Sequence, residues 1–258
     1  MLRSRIIPCL LIHENGLVKS VNFSNYKYVG DPINAVKIFN EKEVDELIVL
    51  DIDASVKEVK PNFDIIRKIA SECRMPLCYG GGIKTVEEAV EIINLGVEKV
   101  ALSSSVLNDF TLLKEIGDAI GKQSVVVVID VKKSSSIFSR MTYEVYTLNG
   151  KNKFKYSLKE CIKFINEIGI GELVINSIDN DGLMTGYDHA LVKFVRDNTD
   201  YPVTFLGGAG ELDHIGKLFE DYGTIGAAAG SLFIFKGKYK AVLINYPSFV
   251  DRYNLYSK

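Results

Sequence analysis

Four side chains in this sequence could move protons or place charge at a reacting centre. Asp130 ends the apolar run Val125-Val126-Val127-Val128-Ile129. A carboxylate at the tip of such a run is well placed for acid–base work or for contact with a substrate. The bland alternative is an aspartate that caps the loop after it. Asp51 ends the run Leu47-Ile48-Val49-Leu50, and Asn176 ends Leu173-Val174-Ile175. Lys19 reads as part of a loop, either solvated or closing over a ligand as a cation beside a phosphate. Two glycine sets add a second kind of chemistry, Gly80-Gly81-Gly82 and Gly207-Gly208-Ala209-Gly210. Turns like these let backbone N–H groups approach a phosphate, and a following helix adds its dipole. Ser103, Ser104, Gly230 and Ser231 follow the next apolar run in each case and would complete the cradles. Gly182 closes the loop Ser177-Ile178-Asp179-Asn180-Asp181-Gly182 and joins the same set.

The two sets stand in one register. Glu46-Leu47-Ile48-Val49-Leu50 and Glu172-Leu173-Val174-Ile175-Asn176 lie 126 positions apart, as do Pro76 and Pro202, Gly81-Gly82 and Gly207-Gly208, and Ser105 and Ser231. Three separate segments in one register indicate an internal duplication, with halves at about 1–122 and 123–240 of a single domain. One Gly-Gly pair alone would read as a tight turn. Two pairs in register, each with a partner serine, favour phosphate cradles. The folded chain should then hold a phosphorylated small molecule with a phosphate at each end.

The elements that must position these groups alternate. Strand patterns fall at Arg5–Leu10, Glu46–Asp51, Pro76–Tyr79, Lys99–Leu102, Ser124–Asp130, Glu172–Ser177, Pro202–Leu206 and Thr224–Ala228. Amphipathic stretches lie between them, such as Thr85–Leu95, where Val86, Ala89, Val90 and Ile93 share a face and Thr85 with Glu88 fits a capping box. Eight β-then-α units with near-continuous apolar strands predict a parallel (βα)8 barrel, buried on both strand faces. A doubly wound sheet is the competing topology. After the fifth strand, Ser134-Ser135-Ser136, then Met141 to Thr147 and Asn149-Gly150, read as an inserted β-hairpin. The stretch from Tyr239 to Lys258 predicts a short or irregular closing helix.

Composition narrows the function classes. The chain has 258 residues, 47% of them apolar, and a net charge of −2 with both signs mixed along it. That gives no broad field for nucleic acid or anionic lipid. No signal-peptide pattern follows Met1-Leu2-Arg3-Ser4-Arg5, and no apolar run is long enough to span a bilayer. The expectation is a cytoplasmic protein. Cys9, Cys73, Cys78 and Cys161 form no CxxC pair, and His13, His189 and His214 have no ligand spacing. Neither a metal nor a cofactor is expected. Arg5, Glu46, Lys99 and Glu172 each stand at a strand start. Such charges are ordinarily solvated edge groups. Here two of each sign could converge into a ring that plugs or gates the bottom of the barrel.

Together these residues resemble the cyclase subunit of imidazole glycerol phosphate synthase. The resemblance runs from Arg5-Ile6-Ile7-Pro8-Cys9-Leu10 to Gly230-Ser231-Leu232-Phe233. It includes Asp45-Glu46-Leu47, Gly80-Gly81-Gly82-Ile83, Val126-Val127-Val128-Ile129-Asp130, Ser177 to Gly182, and Gly186-Tyr187-Asp188. It implies a barrel of duplicated half-barrels, a bisphosphorylated ribulosyl substrate, and a separate glutaminase subunit docked on the bottom face around Arg5, Glu46, Glu98, Lys99 and Glu172. Ammonia from that subunit would cross the barrel. The resemblance also implies an acid–base pair of aspartates at the ends of strands one and five. Asp130 matches one of them, and Leu11 stands at the other. Asn176, Leu206 and Ser103 stand where the family has Thr, Ser and Asn. Leu10-Leu11, Cys78-Tyr79-Gly80-Gly81-Gly82 and Ala241 to Pro247 resemble instead a divergent branch that accompanies an amidotransferase in making acetamidino-modified sugars for surface polysaccharide. That branch implies delivery of ammonia to a second partner, an ATP-dependent sugar amidotransferase.

Overall fold

The computed structural model describes residues 3–134 and 142–256. Eight parallel strands close on themselves: β1 (Arg5–His13), β2 (Leu47–Asp51), β3 (Leu77–Gly80), β4 (Lys99–Leu102), β5 (Val125–Lys133), β6 (Glu172–Ser177), β7 (Val203–Leu206) and β8 (Gly226–Ala229). Each pairs with the next, and β8 returns to β1 with Arg5 beside Gly226 and Pro8 beside Ala229. The fold is therefore a (βα)8 barrel, and a doubly wound sheet is excluded. The strands predicted to begin at Pro76 and Pro202 begin one residue later, because a proline cannot donate to a ladder.

The outer layer is made by α1 (Pro32–Glu41), α2 (Phe63–Glu72), α3 (Val86–Asn94), α4 (Phe110–Ile120), α5 (Leu158–Ile168), α6 (His189–Arg196), α7 (Leu212–Tyr222) and a closing α8 (Phe249–Tyr256). The last has eight residues, short as its sequence implies. Thr85 caps α3 and forms the reciprocal capping box with Glu88. The N-caps keep the spacing of the sequence repeat. Asp31 and Ser157, Asn62 and Asp188, and Thr85 and Glu211 are each 126 positions apart.

β1 and β5 run three residues past their predicted ends, because each continues into an antiparallel hairpin. After β5, Tyr143–Thr147 and Asn152–Ser157 form the expected hairpin, and the Lys151 N–H closes its turn on the Leu148 carbonyl. Asn149 and Gly150 both have positive φ, the conformation that an Asn-Gly turn supplies. Ser135, Ser136 and Met141 of that expectation lie outside the described residues. After β1, a hairpin of Gly16–Val21 and Ser24–Gly30 was not anticipated. Its signal was present in Asn15-Gly16, with Glu14 and Asn15 at positive φ.

Two apolar regions result. The larger lies between sheet and helices. The smaller fills the barrel interior with Ile7, Cys9, Ile48, Cys78, Ala101, Val126, Val128, Val174, Leu206 and Ala228, flanked by Leu11 and Leu50. Cys9 and Cys78 are thus buried free thiols. Among the described residues no helix is long and apolar enough to cross a membrane.

The paired glycines hold the strand ends close together. A Cβ on Gly81 (φ +126°) would stand 2.4 Å from the Asp51 carbonyl oxygen. One on Gly207 (φ +98°) would stand 2.6 Å from that of Ser177. Either contact is sterically prohibited without backbone movement. Gly207→Ala should therefore lower stability by about 1–3 kcal/mol, measured by urea unfolding. An unchanged midpoint would show that the loops yield freely.

Candidate functional site

The barrel carries polar groups at both ends and apolar groups between them. At the lower end, Arg5, Glu46, Lys99 and Glu172 converge into one alternating ring. Arg5 donates to Glu46 through Nη1 and to Glu172 through Nη2 at 2.7 Å. Lys99 Nζ donates to Glu46 at 2.7 Å and to Glu172 at 2.9 Å. The Thr204 hydroxyl, which the sequence reading missed, also donates to Glu172. Burial works against ionisation of Glu172, but Arg5, then Lys99 and Thr204, outweigh it and hold the carboxyl at about 2. Burial likewise opposes the charge on Lys99, and the two carboxylates overcome it and raise its pKa. Glu98 stays outside the ring and accepts the Leu77 N–H at 2.7 Å.

Above the ring the interior is apolar, and it opens into a pocket of about 1220 Å³, counting the space open to solvent. Every upper-rim residue singled out from sequence lines it: Asp130, Lys19, Asp51 and Asn176, with Gly81, Gly82, Ser103 and Ser104 on one side and Gly182, Gly207, Gly208, Gly230 and Ser231 on the other. Asp130 and Asn176 sit side by side on β5 and β6, and Asn176 Nδ2 donates to Asp130 Oδ1 at 3.0 Å. Burial pushes the Asp130 carboxyl up. The Asn176 bond pulls it back in part and Asp181 adds to the rise, leaving it at about 7. Leu11 pairs with Leu50 as Asp130 pairs with Asn176, and Leu50 and Asn176 are 126 positions apart. Leu11 and Asp130 therefore hold matching places, one unable to exchange a proton and the other titrating near neutrality.

Two expectations need correction. Lys19 is neither in a loop nor solvated. It lies on the inner strand of the first hairpin, 5% exposed, and its amine donates to the Cys9 carbonyl at 2.7 Å. Burial lowers its pKa, against the charge of Asp181. The amine also lies against Gly230, where a Cβ would approach it to 2.6 Å. Asp51 performs the structural task weighed for Asp130. Its Oδ1 accepts the N–H groups of Asp53 and Ala54, capping its own loop.

The glycine cradles lead to the short helices Ser104–Asn108 and Ser231–Ile234. Their N-caps, Ser103 and Gly230, make no side-chain cap bond, whereas α1 to α6 are each capped by a side chain. Both hairpins reach over the mouth. Asp181 accepts the Ser20 hydroxyl at 2.7 Å and the Phe23 N–H at 3.2 Å. Asn149 Nδ2 donates to the Ile52 carbonyl at 2.5 Å, and the Leu148 N–H donates to Ser104 at 3.1 Å. Asp181 is legible in the sequence only as part of its loop motif. Phe23 carried no signal without the first hairpin, whereas Asn149 was legible as the turn of the second.

The histidine biosynthesis protein model matches residues 5–240. The chain belongs to that family. A Vibrio vulnificus (strain YJ016) protein provisionally named imidazole glycerol phosphate synthase subunit hisF3 is 55% identical over 248 residues, 96% of this chain and 94% of the relative. A Leptospira interrogans protein with the same kind of provisional name is 48% identical over 256 residues, 99% of this chain and 100% of the relative. The imidazole glycerol phosphate synthase subunit HisF of Pyrococcus furiosus is 38% identical over 233 residues, 90% of each chain. The histidine biosynthesis family thus accounts for the barrel from β1 through β8.

Glu172 and Asp130 give opposite pH signatures. Glu172 is depressed, so its contribution is complete above about pH 5 and is lost as pH falls toward 2. Asp130 is raised, so the folded state binds the extra proton and stability falls as pH rises from about 4 to about 7. Asp130→Asn should remove that fall and raise the melting temperature at pH 8 by a few degrees, on the order of 2–6 °C. Equal melting temperatures for both proteins across pH 5–8 would count against the shift.

Proposed function

We propose that this chain is the cyclase-like subunit of a glutamine amidotransferase assembly. It takes ammonia from a separate glutaminase at the lower ring and passes it up the barrel for nitrogen transfer. The observation that carries this reading is an apolar barrel interior above the charged ring and beneath a mouth lined by Leu11, where the resemblance implies a carboxylate. Losing one of two proton-transfer groups lowers a rate by about 10²–10⁴-fold. Transport of a small neutral molecule needs neither group.

The mixed charges of the ring, with Glu98 beside it, suit a glutaminase face by steering and orienting it. The nitrogen would go to an ATP-dependent sugar amidotransferase in acetamidino-sugar biosynthesis, in keeping with the resemblance at Leu10-Leu11 and Ala241 to Pro247. The two cradles would hold a phosphorylated small molecule at the mouth. The assembly would work in the cytoplasm, and the barrel would descend from two half-barrels of about 1–122 and 123–240. The second reading is imidazole glycerol phosphate synthesis itself. It is favoured by Asp130, whose pKa of about 7 suits proton transfer at neutral pH.

Two experiments separate these readings. Wild-type protein with ammonium salts should turn over the histidine-pathway substrate far below the 1–10 s⁻¹ or so of an ordinary biosynthetic enzyme, and Leu11→Asp should raise the residual rate. Turnover at the ordinary rate would overturn the conduit reading. In the assembly reconstituted with its glutaminase, Lys99→Ala should alter glutamine-dependent product formation while leaving ammonium-dependent formation unchanged. If both change equally, or neither changes, the ring is an ordinary structural cluster.

A further inference from the structure

We propose that the hairpin of Phe235–Lys236 and Ala241–Val242 is a docking surface for the enzyme that consumes the nitrogen, which meets it with an acidic face. The identity of that occupant rests on the conduit reading above.

The hairpin projects from the barrel. Eight consecutive residues, Lys236 to Leu243, are exposed. Tyr239 at the tip is 90% exposed, and Leu243 at the base 53%. Strands of two residues do not hold themselves together in water. Here the base is tied down, since the Leu243 N–H donates to the Ile234 carbonyl at 2.8 Å and the Asn245 N–H to that of Phe233 at 2.9 Å. Lys240 closes the turn at φ +48°, a conformation that glycine and asparagine adopt more readily. A lysine there is unfavourable for the backbone and buries nothing, so what it supplies is charge.

That charge has no internal use. Lys236, Lys238 and Lys240 stand within five residues, and no Asp or Glu occurs between Asp221 and Asp251. Lys27 adds a fourth cation, its amine 5.0 Å from the centre of the Phe235 ring. Among the described residues no carboxylate pairs with any of the four. The chain as a whole carries −2, so this positive projection stands against a negative background and would steer and orient an acidic partner. Tyr239, Val242 and Leu243 add apolar contact area, and tyrosine is a residue type enriched at protein interfaces.

The position identifies the occupant. The hairpin follows the helix Ser231–Ile234, whose first residue lines the mouth, and Lys27 pairs across the first hairpin with Lys19, which lines it too. Ammonia released into water at neutral pH takes up a proton and loses its nucleophilic lone pair. The enzyme that uses it must therefore cover the mouth, at the end of the barrel opposite the ring offered to the glutaminase.

The test measures binding of the purified full chain to the ATP-dependent sugar amidotransferase encoded in the same genome, by interferometry. Affinity should fall about fivefold or more between roughly 50 and 300 mM sodium chloride. Combined Lys236→Glu, Lys238→Glu and Lys240→Glu should weaken binding by about thirtyfold or more at low salt, and Tyr239→Ala by about fivefold or more. Glutaminase binding should be unchanged in both variants. Should the triple glutamate variant fail to fold, the triple glutamine variant decides. Wild type that does not bind the amidotransferase, variants that bind it like wild type, or variants that lose both partners equally would overturn the surface. So would lysine-dependent binding to phosphatidylglycerol vesicles or to polyuridylate in place of the amidotransferase. Glutamine-dependent transfer in the reconstituted assembly is a separate measurement. Lysine-dependent docking without such transfer removes the conduit reading and leaves this surface standing. Transfer that the triple variant sustains at the wild-type rate removes this surface alone.

Discussion

Glu172 has to share its carboxylate between two cations, and the lower half of the barrel is arranged around that requirement. The residue is 4% exposed, and a lone carboxylate so placed would take up a proton. It stays charged because Arg5, Lys99 and Thr204 reach it from β1, β4 and β7, while Glu46 on the edge of β2 takes the remaining bonds of both cations. Strand register is part of the device. A slip of one residue on any of these strands would turn its charge away from the axis. Gly226 contributes by omission. A Cβ there would stand 1.7 Å from the Thr204 hydroxyl and displace it from Glu172. Removing one partner from such a cluster strands a buried charge, a loss of about 3–5 kcal/mol in comparable fully buried pairs. Here it is smaller, because Arg5 and Lys99 are about one-fifth exposed.

The upper end is organised by ties between hairpins and loops from distant strands. The hairpin after β1 is tied to the loop after β6 through Asp181, and the hairpin after β5 is tied to the loop after β2 through Asn149. The two turns meet where a Cβ on Gly150 would touch the Phe23 ring at 3.2 Å. Each hairpin thus covers strand ends on another part of the rim, and the Lys19 amine lies against Gly230. Gly182 serves the first of these ties. Its Cβ would stand 2.1 Å from the Ser20 carbonyl, so a glycine chosen for phosphate chemistry has a packing reason of its own.

What could be read from the sequence follows from how local each signal is. The barrel strands were legible because both of their faces are buried, which leaves unbroken apolar runs. The capping box at Thr85 was legible because it spans three residues of contiguous chain. Sites at strand tips followed once the barrel was inferred, which is why Asp130, Asn176 and the paired glycines fall in one pocket. Lys19 was misplaced for the opposite reason. Its burial depends on a hairpin whose outer strand, Ser24 to Gly30, is mostly exposed and shows little hydrophobic alternation. The roles of Asp51 and Asp130 could not be told apart from sequence, since both end apolar runs. Among the described residues only Asp51 finds backbone N–H groups within reach.

The mouth and the lumen make separable demands on this chain, and that separation bears on what the barrel can lose. Proton exchange at the mouth is fastest with two groups of suitable pKa facing one ligand, and it slows by about 10²–10⁴-fold when one is absent. Leu11 beside Leu50, with Leu206 across the strands from Asn176, makes one side of the mouth apolar while Asp130 and Asp181 keep the other acidic. The lumen needs only small, closely fitted apolar side chains and a ring of matched charges below. None of those residues is replaced by the change at Leu11. A leucine at the mouth therefore leaves the ring and the apolar interior intact, whereas loss of the ring would leave buried charges unpaired and threaten the fold itself. The asymmetry at Leu11 and Asp130 is the kind of change such a scaffold tolerates, since a leucine at that depth adds to the apolar wall it joins.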